Sequence, residues 1–382
     1  MSLQRLLIAA FCLLSLPALA QVKIGFITTL SGPGGYLGED ARDGFMLAVN
    51  AEGGKLGGIP VKVLVEDDGL KPAQGRQIAQ RYLKTEGVRL FTGSIFTNVA
   101  VAMLGDILEE EAYWLGPNTA PDQYSGKGCH PRYFVTGWDE TLHVSAGDLA
   151  RAFGVKKLFG IAPNYQTGKQ VIASIKKGYG EIAGEIYTGL EQNDFSAEIA
   201  QIRAANPDGV YEFQPGGLGI NFLKQWASSG LKDKIPLYVG APSLDPRLLM
   251  AVGDAASNMH VAANWNADLP NAANQAFVAA YRAAYNRPPT YYAANAYDTA
   301  LMIAAALKAT GGKLDDSFGK AVHRADYASI RGHIAFANNN APLQDWYALS
   351  VKPDANGKLA IVTDRKISEM RGGAYAYECP MK

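Results

Sequence analysis

Between Lys23 and Gly38 the chain reads KIGFITTLSGPGGYLG, an apolar run feeding a glycine cluster, and EDARDGFMLAVNAEG follows with helical spacing. Gly32, Gly34 and Gly38 form G-x-G-x-x-x-G between a strand and a helix, close to a dinucleotide-binding fingerprint. Pro33 weakens that reading, because it removes one of the N–H groups that would cradle a pyrophosphate. The glycines have a local use instead: a tight turn and close backbone approach where a strand enters a helix.

The N-terminus points the same way. MSLQR carries one arginine, LLIAAFCLLSL is apolar, and Ala18-Leu19-Ala20 precedes Gln21, the pattern of a secretory leader over residues 1–20. Its apolar run falls short of the ~20 residues a membrane span needs. Cys12 follows Phe11 rather than the small residue a lipoprotein site requires, so it reads as part of the leader. Without the leader 362 residues remain, with 35 basic and 36 acidic side chains, since Arg5 is the only charge removed. Near-neutrality argues against electrostatic capture of nucleic acid or anionic membranes. Exported compartments are poor in dinucleotide cofactors, and no cofactor is expected. Cys129 and Cys379 are the cysteines left, and in an exported chain a pair favours a disulfide over a metal site. That bond would tie SGKGCHP to the tail YECPMK.

Beyond the opening, strand and helix alternate. Strands are expected at VKVLVEDD, RLFTG and YWLGP, with helices at 38–52, 72–86 and 98–111. After the Cys129 loop the alternation restarts: KLFGIAP, GEIYTGL, GVYEFQ, PLYVGAP and MHVAANW, with helices at 140–153, 167–178, 195–206, 218–229 and 245–256. Two long helices, 271–285 and 291–310, flank NRPP, and short strands follow near GHIAFA, DWYALSV and KLAIVTD. Repeated strand–helix units imply α/β architecture with doubly wound parallel sheets, in two units that exchange chain more than once.

These residues also carry a resemblance. SGPGGYLGEDARDGFMLAVNAEGG, TGSIFTNVAVA, GPNTAPDQ, NYQTG, FLKQWASSGL, AANAYDTALMIAAAL and RGHIAFA stand in the order of signposts in the type I periplasmic solute-binding proteins of ABC importers, in the leucine/isoleucine/valine-binding branch. The resemblance covers almost all of 22–370. GPNTAP…GKGC, APNYQTGK and FQPGGLGINFLKQ resemble a subgroup linked to uptake of aromatic acids such as nitrobenzoate. The resemblance implies two Rossmann-like lobes joined by three crossover strands. One lobe spans 22–139 plus 266–340 and the other 140–265 plus 341–382, with the ligand in the cleft between. It also implies a periplasmic monomer that hands a small carboxylate to an inner-membrane permease.

The expected site lies beyond the carboxyl ends of the strands. Thr97 takes the family's serine position, where its hydroxyl and nearby N–H groups can hold a carboxylate at a helix N-terminus; it also reads as an ordinary N-cap. Thr119 matches the second carboxylate loop. Asn118 stands where alanine is common, either donating to the ligand or building a turn beside Pro117. Tyr165 matches the tyrosine of the second lobe's loop. Tyr36 is offset by one from a family tyrosine, whose place Leu37 takes. Amino-acid binders carry an acid after the strand matching PLYVG, but here Pro242 or Ser243 occupies that place, and Asp245 reads as a helix cap. A buried ammonium with no counter-charge costs several kcal/mol, so this absence selects against amino acids. Phe96, Trp138, Phe213 and Trp265 sit near strand ends or crossovers and suit an aromatic or apolar acid, with Gln214 able to orient it.

Enzyme signals are poor. His130, His143, His260, His323 and His333 show no metal spacing, and TGSIF and GAPSL lack the second glycine of a nucleophile elbow. The chain reads as a binding protein. The other readings are a hydrophobic amino-acid binder, or a ligand-sensing receptor of the same fold.

Overall fold

The computed structural model describes residues 21–354 and 356–381; the leader read over residues 1–20, Cys12 included, lies outside them. Two sheets organise the chain. The first has the order β2-β3-β1-β4-β5-β6, built from β1 (Val22–Thr28), β2 (Lys55–Leu56), β3 (Ile59–Asp67), β4 (Leu90–Thr92), β5 (Tyr113–Gly116) and β6 (Tyr133–Val135). All its pairs are parallel except the short β2–β3 hairpin. Around it lie α1 (Gly35–Ala51), α2 (Pro72–Arg81), α3 (Thr97–Glu109) and the single turn α4 (Asp122–Ser125). The central strand β1 is buried almost throughout, as a parallel strand covered on both faces must be, and so reads as a continuous apolar run.

The second sheet is built on five parallel strands in the order β11-β10-β9-β7-β8. Its parallel part is β7 (Leu158–Pro163), β8 (Gly184–Thr188), β9 (Gly209–Glu212), β10 (Leu237–Gly240) and β11 (Met259–Ala263). Its helices are α5 (Thr141–Ala152), α6 (Gln166–Tyr179), α7 (Ser196–Ala205), α8 (Gly217–Ser228) and α9 (Pro246–Val252). The helix expected over 245–256 stops at Gly253, φ +53°, and finishes as a 3₁₀ turn over Gly253–Ala256. The one expected over 72–86 ends as a π-helical turn at Tyr82–Glu86.

The chain then returns to the first sheet. α10 (Ala272–Tyr285), α11 (Tyr291–Thr310) and α12 (Asp316–Arg324) follow, and α11 packs along α1. It crosses once more into β12 (Ala335–Phe336), β13 (Pro342–Pro353) and β14 (Leu359–Gly372), all antiparallel additions. The last two form a long ribbon rather than the short strands expected there. Cys129 and Cys379 are disulfide-bonded with Cα atoms 5.7 Å apart, tying the loop before β6 to the chain's end.

Three segments therefore connect the lobes, and one carbonyl knots them. Gly137 O, on the first crossing, accepts from Asn264 Nδ2 (2.7 Å) on the second, and from Arg331 Nη1 (2.7 Å) and Gln344 Nε2 (2.9 Å) around the third. Arg331 is fully buried against Asp298 at 2.8 Å. The Asp298 carboxylate also takes Tyr327 OH, Ser329 Oγ and Ile330 N.

The opening glycines now have a structural reason. At Gly38 a Cβ would fall 2.0 Å from the Thr29 carbonyl oxygen, so glycine lets α1 sit directly on the end of β1. The Pro33 carbonyl accepts the Gly217 N–H (3.2 Å) at the start of α8. The glycine turn touches the opposite lobe, and its carbonyl is turned outward as an acceptor.

Candidate functional site

Between the lobes lies a small, largely enclosed cavity. Phe96, Thr97, Asn118, Trp138 and Tyr165, five residues read from the sequence as ligand contacts, line it together. Phe213 and Pro242 line it as well, as do Ile95, Thr167, Pro215 and Tyr292, which sequence reasoning missed. Thr167 lies two residues beyond Tyr165 in NYQTG and shares its signal. Tyr292 opens α11 behind its Thr290 cap, whose hydroxyl accepts from Ala293 N at 3.3 Å. No local pattern announces that α11 begins at the cleft.

Two helix N-termini meet here. α3 starts at Thr97 with Phe96 as its N-cap and no side-chain cap bond, so the Thr97 hydroxyl is not spent on capping. The N–H groups of Thr97 and Asn98 make no protein hydrogen bond among the described residues, as the first turn of a helix leaves them. From the other lobe, α6 starts behind Tyr165, again with no side-chain cap, and the hydroxyl of Thr167 is buried without a partner. The arrangement favours an anion by orphan donors and by both helix dipoles.

Further polar atoms in the wall lack partners: both amide atoms of Asn118 and the indole N–H of Trp138. Among the described residues neither Asp nor Glu lines the cavity. Behind the wall, buried His143 shares a 2.7 Å hydrogen bond through Nδ1 with Tyr211 OH, while its Nε2 is unpartnered. Its ring meets Trp138 and Phe213 edge-on, with centroids 5.2 and 5.4 Å away. Burial depresses its pKa to about 3, so this histidine is neutral.

The remaining sequence candidates sit elsewhere. Tyr36 donates to Asp245 Oδ2 at 3.0 Å, and Asp245 caps α9 by accepting from Arg247 N and Leu248 N. Arg247 lies over the Tyr36 ring and reaches Asp40 on α1 at 3.0 Å, so the pair belongs to a seam between lobes. A tyrosine moved one position along α1 faces the opposing helix rather than the cavity. Thr119 is buried against Gly116 with an unpartnered hydroxyl. Gln214 pairs with Thr188 Oγ1 (3.0 Å), and Ser243 Oγ lies 3.3 Å from Gln214 N, both behind the wall. Trp265 bonds Asn274 at 2.7 Å and belongs to a separate core with Leu269, Phe277 and Tyr281. It sits at the end of the second crossing, where the chain has already turned toward α10.

Glu212 is the other buried acid nearby. Tyr211 and Phe213 both contact His143, so strand alternation points Glu212 to the opposite face of the sheet. Burial raises its pKa well above the carboxylate range, and the Ser243 hydroxyl and Gln214 N–H beside it offset that rise only in part.

Residues 21–358 match the family of periplasmic binding proteins. Leu/Ile/Val-binding protein homolog 6 of Brucella melitensis is 27% identical over 340 residues, 86% of this chain and 87% of that protein. Among solved structures, a solute-binding protein of an ABC transporter from R. palustris in complex with benzoate is 28% identical, TM-score 0.86, over 92% of this chain and 97% of that one. Another, from Rhodopseudomonas palustris BisB5 in complex with 3,4-dihydroxybenzoic acid, is 26% identical, TM-score 0.84, over 92% and 98%.

Proposed function

We propose that this chain, which belongs to the periplasmic binding protein family as an ABC-type solute-binding protein, receives a small aromatic or apolar monocarboxylate for its importer. The observation that carries the reading is the cavity wall. Aromatic side chains and uncharged donors from both lobes surround it, two helix N-termini open on it, and no acid among the described residues lines it. The carboxylate lies at the N-terminus of α3 against Thr97, with Thr167 reaching from the second lobe. Phe96, Trp138, Tyr165 and Phe213 hold the apolar body, and Asn118 meets a further polar group. The benzoate and dihydroxybenzoate complexes of similar proteins support this class.

The lobe of the first sheet, about 22–139 with 266–333, and the lobe of the second, about 140–265 with β12 onward, act as two bodies on the hinge at Gly137. A ligand that touches both favours the closed form by the contacts it adds there. The exported monomer then docks on a permease. Affinity at micromolar or better, about −8 kcal/mol, is expected.

Two observations favour a second reading, binding of a hydrophobic amino acid: the curated relatives carry that name, and Glu212 is a buried acid near the cleft. Its orientation away from the cavity and its raised pKa leave an ammonium without a counter-charge. A thermal-shift panel of benzoate, hydroxybenzoates and nitrobenzoate against leucine, isoleucine and valine separates the two. Stabilisation by the amino acids alone would reject the aromatic-acid reading.

A further inference from the structure

The chain that leaves β14 at Gly372 does not finish on its own lobe. From Gly373 onward it passes the hinge to the first lobe, where Cys379 is bonded to Cys129 in the loop before β6. One peptide of this tail is clasped on the way. Ala374 N donates to Asp139 Oδ2 (2.8 Å) on the first crossing, and its carbonyl accepts from Asn339 Nδ2 (2.9 Å) in the turn between β12 and β13. Asn339 Nδ2 also reaches Ser125 O on α4 at 2.7 Å. Tyr375 then takes φ +61°, a left-handed backbone that residues other than glycine rarely adopt, so its place is set by its surroundings.

Those surroundings belong to opposite lobes. Lys177 Nζ, on α6, donates to Tyr375 OH at 3.2 Å and lies 3.6 Å from Glu140 Oε2, just before α5. On the other side is Gly126, which closes α4. A Cβ there would fall 3.4 Å from Tyr375 Cβ and 3.0 Å from Glu378 Oε2, so glycine leaves room for the tail. Elsewhere along the same two helices the lobes meet directly, Gln166 Nε2 donating to Asp122 Oδ1 at 3.1 Å.

We infer that the tail is a brace across the hinge: the Cys129–Cys379 bond keeps Tyr375 between α4 and α6, favours the closed lobes and slows release of the solute. A chain end with no anchor frays, and the clasped peptide and Tyr375 would go with it. Contacts within one lobe persist when the lobes part, whereas contacts that join both count toward the closed form alone. On opening, the tail stays bonded to the first lobe through Cys129 and gives up Lys177 of the second. The inference concerns the motion of the lobes and holds whatever solute the cleft takes.

The test compares the disulfide-bonded protein with Cys129→Ser/Cys379→Ser, by small-angle X-ray scattering without ligand and by stopped-flow release of benzoate. The double variant is expected to melt cooperatively at a lower temperature and to show a larger radius of gyration. It should release benzoate about fivefold faster, with association within about twofold. Tyr375→Ala, which keeps the bond, should move scattering and release the same way, release by about twofold, and decides the matter if the double variant fails to fold. Variants that melt lower yet scatter and release benzoate like the unmodified chain would overturn the brace and leave the bond as a fastening of the chain's end. If the unmodified protein binds no benzoate, scattering alone decides the brace, and the aromatic-acid reading falls separately.

Discussion

The hinge and the ligand cavity are both buried and both rich in polar atoms, but their hydrogen bonding differs. At the hinge, Gly137 O takes three donors and the Asp298 carboxylate takes four neighbouring groups, Arg331 among them. In the cavity wall, Asn118, Trp138 and Thr167 present polar atoms that meet no protein group among the described residues. An unmet buried donor or acceptor costs about 1–3 kcal/mol, so it persists only where something else offsets it. The hinge must hold with or without solute, and its central carbonyl and carboxylate are saturated from within, although Asn264 Oδ1 beside them has no partner among the described residues. On the proposed reading the solute completes the wall, and that difference would separate polarity that shapes the fold from polarity that recognises.

The largest effect should come from breaking the saturated side. Arg331→Met leaves Asp298 buried without its cation and should lower stability by about 3–5 kcal/mol in urea denaturation. A loss below ~1 kcal/mol would mean that the hinge network is not what holds the crossings. On the unsaturated side, Thr97→Ala should weaken benzoate binding by about 1.5–3 kcal/mol in calorimetry with the unliganded melting temperature nearly unchanged. An unaltered isotherm removes Thr97 from the site.

His143 sharpens the comparison, being met at Nδ1 and unmet at Nε2. Burial holds its folded pKa at about 3, below the 6.5 of the exposed group. A base depressed in the folded state binds protons more readily when unfolded. Its contribution is therefore full above pH 6.5 and is lost as pH falls toward 3, by at most ~1.4 kcal/mol per pH unit. The stability difference between the protein and His143→Gln should slope accordingly over that window, and a flat difference contradicts the assignment. The smallest effect belongs to the seam between α1 and α9. The Arg247 side chain is 31% exposed and shares Asp40 with Arg287, so Arg247→Ala should cost less than ~1 kcal/mol of affinity. Stopped-flow should show faster ligand release at low salt and little change at high salt.

How far the sequence carried depends on the kind of contact. Residues on one loop or at one strand end were readable: Phe96–Thr97 opening α3, Asn118 after β5 and Tyr165 before α6 all reach the cavity. Asp245 reads as a cap because capping is a matter of two or three residues, and it is one. Trp265 and Tyr292 went the other way. Each lies beside a crossover, where one turn of the chain decides which body a side chain joins, and no local pattern records that turn.

The alternation of strands and helices, the lobes' parallel sheets, the Cys129–Cys379 pair and the lack of a cleft acid after β10 were all determined by the sequence alone, because periodicity, cysteine count and the residue at one position are local quantities. Only the tertiary structure decided that Gly137 knots three crossings, that Tyr36 and Asp245 satisfy each other across the seam, and that Tyr375 lies between α4 and α6. Those depend on which segments, far apart in the chain, come within a few ångströms, and that is set by packing of whole elements.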